Sequence, residues 1–142
     1  MDAPATILIS AQVFGRKPIV SALHSRGHVV YEAAGVSDAL ALMNRGPVGA
    51  LLIHWPLDEP VLCPIIDTIR SIGTFEHLAC IVLSERRSSE DVLDAMEAGA
   101  DDFVAWPVDA ATLDHRVRAG FELTTRRRPQ SGAQIKHLYR GT

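Results

Sequence analysis

The sequence predicts a single α/β domain, a parallel sheet of five strands covered by helices on both faces. Two observations carry this. Short, continuously apolar runs alternate five times with helical patterns, and runs without polar alternation suit strands buried on both sides. Glycines or Gly-Pro pairs close most of the helical stretches.

Thr6-Ile7-Leu8-Ile9 reads as the first strand. Val13 to Arg26 follows as a helix with Ile19, Val20 and Leu23 on one face and Gly27 as its stop. Val29-Val30-Tyr31 is the second strand, and Ser37 is offered as N-cap of a short helix through Leu40 and Met43 that closes near Gly46-Pro47. Ala50 to His54 is the third strand, leaving through the loop Trp55-Pro56-Leu57-Asp58-Glu59-Pro60. A helix over Ile65, Ile66 and Ile69 ends at Gly73, and Leu78 to Leu83 forms the fourth strand. Ser88-Ser89-Glu90-Asp91 opens the next helix with a cap and acids suited to its dipole, and Gly99 closes it. Asp101 and Asp102 fall in the turn before the fifth strand, Phe103-Val104-Ala105, and Leu113 to Leu123 is the last helix. Right-handed crossovers and a flavodoxin-like strand order of 2-1-3-4-5 make the economical topology. Such sheets place their sites at the carboxyl ends of the strands, which here are Ser10, Ala11, His54, Ser84 and Trp106.

Chain length suits one compact domain with a substantial core, residues 1–123, followed by a polar tail, 124–142. The net charge of −3 conceals an asymmetry. The tail holds five of the fourteen basic residues and none of the seventeen acidic ones, so the body carries a net −8. A solvated linker is the plain reading of that tail, with two alternatives open: a stand-alone adaptor, or the N-terminal piece of a protein whose output domain lies beyond Thr142. A nucleic-acid arm is weakly suggested, since the arginines lack interleaved aromatics. No apolar run reaches the length of a membrane span, and no secretory leader pattern is present. Cys63 and Cys80 fit neither a metal knuckle nor a disulfide framework, so a reduced, cytoplasmic setting is expected.

From Met96 to Asp109 the chain reads M-E-A-G-A-D-D-F-V-A-W-P-V-D, which resembles the closing stretch of a response-regulator receiver domain, E-A-G-A-x-x-[FY]-x-x-K-P-[FV]. The resemblance extends from about Ala5 to Leu123 and implies two-component or phosphorelay signalling. It also implies what each strand end would do. The acidic pair that holds Mg²⁺ corresponds to Ser10 and Ala11. The phospho-accepting aspartate corresponds to His54, and the lysine to Trp106. Ser84 preserves the hydroxyl that contacts the phosphoryl group, Phe103 stands at the rotating aromatic switch, and Pro107 at a usually cis proline.

Those substitutions bear directly on chemistry. Mg²⁺ wants oxygen ligands, normally carboxylates with waters, and Ser10, Ala11 and His54 supply no carboxylate. Without metal or lysine, charge on a transferred phosphoryl group lacks its main stabilisers, and a histidine forms no acyl phosphate. No cofactor and no catalytic residues are therefore expected, and a hydrolase elbow G-x-S-x-G is absent. The expectation is a pseudo-receiver that acts through protein–protein contact with a kinase or output domain. The fourth helix, fifth strand and fifth helix are the surface where receivers commonly pair and where a homodimer would form, including Arg86, Arg87, Glu90, Asp94, Glu97, Asp109, His115 and Arg118. Trp106 is expected to fold over the vacated pocket, and Trp55, in a loop, to be either a partner anchor or packed over that loop. His54 is read first as a neutral, hydrogen-bonded filler, with a ligand-, pH- or phosphohistidine-sensing site as the alternative.

Overall fold

A computed structural model of the chain describes residues 3–58 and 63–128. Strands β1 (Ala5–Ile9), β2 (Val30–Ala33), β3 (Val48–Trp55), β4 (Ala79–Ser84) and β5 (Asp102–Ala105) form one sheet in the order β2-β1-β3-β4-β5. Every pairing is parallel. Helices α1 (Val13–His24), α2 (Val36–Leu42), α3 (Cys63–Ser71), α4 (Ser89–Ala98) and α5 (Ala110–Arg127) connect and follow the strands, with a single 3-10 turn at Gly73–Phe75. The predicted flavodoxin-like topology is the one observed.

Two cores lie on opposite faces of the sheet. Leu8, Leu52, Ile81, Leu83 and Val104 face Ile19 and Leu23 of α1 and Leu113 and Val117 of α5. Ile7, Ile9, Leu51, Ile53 and Val82 face Ala39 of α2, Ile66 and Ile69 of α3, and Ala95 of α4. The alternation along each strand is the ordinary period of two, applied to strands whose faces are both apolar. Glycines let α5 lie close to the sheet: a Cβ on Gly49 of β3 would stand 2.5 Å from the Phe121 ring.

Several boundaries move from the sequence reading, each for a visible reason. The cap of α2 is Gly35, two residues before Ser37, and the Asp38 carboxylate accepts from the Ala34 N–H at 3.1 Å to hold that turn. Gly27 (φ +84) and Gly99 (φ +121) adopt the left-handed backbone that the sequence assigned to them as helix stops. Helix α5 continues four residues past Leu123. Thr124 is buried and its hydroxyl accepts from the Ala79 N–H at 2.8 Å. Arg127 donates twice to Asp101, at 3.0 and 2.7 Å. Asp101 also receives Arg70 at 2.8 Å and the Cys80 N–H at 2.9 Å, so it is a hub joining α3, β4 and α5 and not simply a turn residue. Burial alone would raise its pKa, but the Arg127 hydrogen bond, the Cys80 N–H and the neighbouring guanidinium charges hold the carboxyl below its usual range. Burial pushes the Cys80 thiol up to about 12, so Cys80 is a small hydrophobe of the core. Among the described residues no helix is long and apolar enough to cross a membrane. The tail from residue 129 onward lies outside the described residues.

Two outcomes follow from this packing. Gly49→Ala should destabilise the fold by about 1–3 kcal/mol in a denaturant titration, as overpacking against an aromatic ring does. A chain ending at residue 123 should be about 2 kcal/mol less stable than one ending at 128, because it loses the Thr124 and Arg127 hydrogen bonds. Equal midpoints would mean those bonds contribute nothing.

Candidate functional site

The site forms where β1 and β3 end side by side, at the point where the sheet order reverses. Ile9 pairs with Ile53, so Ser10 and His54 leave the sheet as neighbours on the face that carries α1. Ser10 Oγ lies 3.0 Å from His54 Nδ1 and accepts from the Gln12 N–H at 3.2 Å. The Gln12 carbonyl is 3.5 Å away, a poorer target for the hydroxyl proton than Nδ1. With the Ser10 hydroxyl donating over the shorter contact, to Nδ1, the imidazole proton would sit on Nε2. Nε2 is buried, with no hydrogen-bond partner among the described residues.

Gly15 of α1 exists for this ring. A Cβ there would stand 3.0 Å from both His54 Cε1 and Gln12 Oε1, so a larger residue would crowd the imidazole against the first turn of α1 and require both side chains to shift. The Gln12 side chain bridges onward to Asp58 at 2.9 Å, spanning the β1–α1 and β3–α3 connections. Below them lies a cavity of about 90 Å³, whose lining includes Ser10, Ala11, Gln12, Gly35 and His54. Burial lowers the His54 pKa from its ordinary 6.5, and the charges of Glu85 and Asp58 offset this only in part.

The structure brings Ser10, Ala11 and His54 together but places Ser84 and Trp106 elsewhere. In the β3–β4 register Leu83 pairs with His54 and Ser84 with Trp55. That one-residue offset puts Ser84 on the opposite face of the sheet from His54. Its hydroxyl donates to the Trp55 carbonyl and accepts from the Arg86 N–H. Trp106 does not fold over the pocket: it shares the parity of Val104, and its ring packs in the α1–α5 core. The Trp106–Pro107 peptide is cis, as the resemblance implied, and Phe103 is half-buried against the α2–α4 core.

Trp55 is likewise corrected. It is the last residue of β3 and only 4% exposed, not an anchor in an exposed loop. The Arg86 guanidinium lies 4.4 Å from the centre of its ring, donates to the Leu57 carbonyl at 3.0 Å and approaches Asp91 at 3.5 Å. Arg86 therefore turns inward and leaves the expected dimer surface. Asp109 is spent capping α5 through the Thr112 N–H, while Arg118 pairs with Asp114 one turn away. Asp114, which the sequence reading did not single out, is buried and also meets His28 at 2.6 Å. The His28 hydrogen bond leads the effects holding its carboxyl below the usual range. Only the i,i+4 spacing of Asp114 and Arg118 hinted at this pair.

The strand-end donor set does not suit Mg²⁺. It comprises a hydroxyl already bonded to an imidazole, a methyl group, and an imidazole nitrogen shut from solvent, with Asp58 engaged by Gln12. Ser10 is 2% exposed, and among the described residues no acid orients the second ring nitrogen of His54, so these residues alone do not make a nucleophilic dyad.

A depressed histidine pKa fixes a pH dependence. As pH falls through 6.5, unfolded His54 takes up a proton that the folded form refuses, so stability is full above that value and declines below it. His77 contributes with the same sign, through burial and Arg128. His54→Leu should therefore flatten, without abolishing, the loss of stability below pH 6.5 in urea titrations. An unchanged acid limb would contradict a buried neutral His54.

Residues 8–118 match the family described as the response regulator receiver domain. The transcriptional regulatory protein AfsQ1 of Streptomyces coelicolor is 32% identical over 119 residues, covering 82% of this chain and 50% of AfsQ1. The chain thus spans half the length of that relative. A response regulator receiver protein from Pseudomonas putida has a similar structure with a TM-score of 0.68 at 24% identity, covering 84% of this chain and 98% of that one. A CheY-like receiver domain protein from Methanospirillum hungatei gives 0.67 at 15% identity, covering 88% and 98%. At these identities the two structures speak to the fold alone. With its sheet order, its E-A-G-A stretch and its cis proline in agreement, this chain belongs to the response regulator receiver domain family of two-component signalling.

Proposed function

We propose that this chain is a pseudo-receiver: it keeps the receiver scaffold, does not run aspartyl-phosphate chemistry or bind Mg²⁺, and acts through protein–protein contact. The observation that carries the reading is the neutral Ser10–His54 pair where the phospho-accepting and metal-holding carboxylates would stand. The Ser84 hydroxyl is already committed to the Trp55 carbonyl, and Arg86 ties the β4–α4 connection to the end of β3. Both contacts favour one standing arrangement over a phosphorylation-driven shift. The chain is accordingly not an enzyme.

The partner-facing surface we assign is α4–β5–α5. Leu93 (56%) and Met96 (41%) are exposed on α4 among Arg87, Glu90, Asp94 and Glu97, an apolar centre with a charged rim suited to a kinase, an output domain or a second copy. AfsQ1 is named a transcriptional regulatory protein. By that analogy the receiver would regulate an output domain that acts on gene expression, in the cytoplasm. A nucleic-acid role for the basic segment finds less support, since Arg127 is paired with Asp101. Phosphorylation of His54 is disfavoured too, because Nε2 is buried and Nδ1 is bonded to Ser10.

The test is to incubate the full chain with Mg²⁺ and acetyl phosphate and follow its intact mass, using an ordinary aspartate-bearing receiver as the positive control. No phosphoryl adduct is expected on this chain. A stoichiometric adduct on any residue of the β1, β3 or β4 ends would overturn the proposal.

A further inference from the structure

Leu93 of α4 stands between two exposed carboxylates, Glu90 and Glu97, that pair with no cation among the described residues. We infer that this face of α4 docks a basic, amphipathic segment of another protein, a helix with leucine-like side chains flanked by Arg or Lys, and not a second copy of this chain. The inference rests on the pseudo-receiver reading, in which the domain acts through its α4–β5–α5 surface.

Helical spacing builds the face. Ala95 is buried and Val92 and Ala98 are half-buried, so α4 turns Glu90, Leu93, Asp94, Met96 and Glu97 outward. Glu90 lies one turn before Leu93 and Glu97 one turn after it, on the same stripe. Glu90, in the first turn, suits the helix dipole. Glu97, in the last turn, opposes it, and that turn holds no basic residue. A cation brought to this end of the helix would relieve both the carboxylate and the exposed carbonyl groups.

A second copy does not supply that cation. All four arginines of α5 already meet carboxylates of their own chain: Arg116 with Asp102, Arg118 with Asp114 and Arg127 with Asp101, each at 2.7 Å, and Arg126 with Glu122 at 3.9 Å. In a two-fold pairing through this surface, such an arginine could reach Glu90 or Glu97 only by leaving another carboxylate. Exposed pairs of this kind are worth little, so the exchange gains nothing. Arg87, exposed ahead of the Ser88 cap, is one cation against Glu90, Asp94 and Glu97. Residues 1–123 hold nine basic and seventeen acidic residues, a net −8 that sets two copies against each other.

Apolar and acidic groups side by side select the class of the occupant. A basic side chain can lay its methylenes over Leu93 or Met96 and set its charged head on Glu90 or Glu97. Met96 fits its unbranched side chain to irregular apolar partners. Nucleic acid, itself polyanionic, is repelled by the same stripe.

The experiment titrates the ¹⁵N-labelled full chain with three helical Leu-Ala peptides of equal length that carry Arg, Gln or Glu beside the leucines. The Arg peptide should shift the Glu90 to Glu97 amides saturably, at least about tenfold more tightly than the Gln peptide, and more weakly as salt rises. The Glu peptide should give no shift there. Glu90→Lys combined with Glu97→Lys should invert this order, whereas Glu32→Lys combined with Glu76→Lys, an equal charge change at exposed positions away from α4, should leave it unchanged. Leu93→Ala combined with Met96→Ala should weaken the Arg peptide by about tenfold. All these side chains are exposed, so each variant should keep the parent fold, which its amide spectrum checks. A ranking that ignores peptide charge, shifts confined to surfaces away from α4, or an Arg-peptide affinity indifferent to either α4 variant would overturn the inference. So would α4 resonances that move when the chain alone is diluted, since a second copy would then be the occupant. None of these results touches the absence of phosphoryl transfer, which fails separately if acetyl phosphate modifies the chain.

Discussion

The 3.0 Å contact between Ser10 Oγ and His54 Nδ1 is the constraint from which the rest of the strand-end architecture follows. β1 and β3 are neighbours at the centre of the sheet, so whatever polar groups end them are forced together with little water. Two carboxylates about 5 Å apart would repel by about 3 kcal/mol at an effective dielectric near 20 and would need a cation between them. A hydroxyl and a neutral imidazole satisfy each other and need none. The residue after β5 then has no charge to answer, and Trp106 follows strand parity into the apolar layer under α1 and α5. Gly15 is the steric counterpart, clearing the space that the imidazole takes from the first turn of α1.

The same economy fixes the far side of the sheet. Ser84 faces away from His54 and bonds the end of β3, while Arg86 stacks on Trp55 and reaches both Leu57 and Asp91. The connection between β4 and α4 is therefore tied to the end of β3 by contacts that require neither metal nor phosphoryl group. In the pseudo-receiver we propose, a domain held this way would offer its α4–β5–α5 surface without an input at the strand ends.

Much of this was legible in the sequence because burial on both faces leaves a plain mark. Continuous apolar runs such as Leu78 to Leu83, stopped helices at Gly27 and Gly99, and the Ser88 cap placed the elements and their order. Helix ends held by distant partners were not legible: α5 reaches Arg127 because Asp101 and Ala79 wait for it, and nothing local says so. At the site, chain position alone brought Ser10, Ala11 and His54 together. It could not show that Ser84 pairs with Trp55 and not with His54, since register between strands is a property of the sheet. Gln12 escaped notice, and Arg86 was assigned to the outer surface, because each acts on a residue far away in sequence. A glycine within the first turn of α1 was the one local clue to the ring packed there.

The most direct measurement is the imidazole ¹H–¹⁵N spectrum of His54 in the full chain at pH 7, before and after Mg²⁺ and beryllofluoride. A buried neutral ring with its proton on Nε2, unchanged by both additions, is the result this structure predicts. An imidazolium, the opposite tautomer, or a resonance that moves when the phosphoryl mimic is added would contradict it.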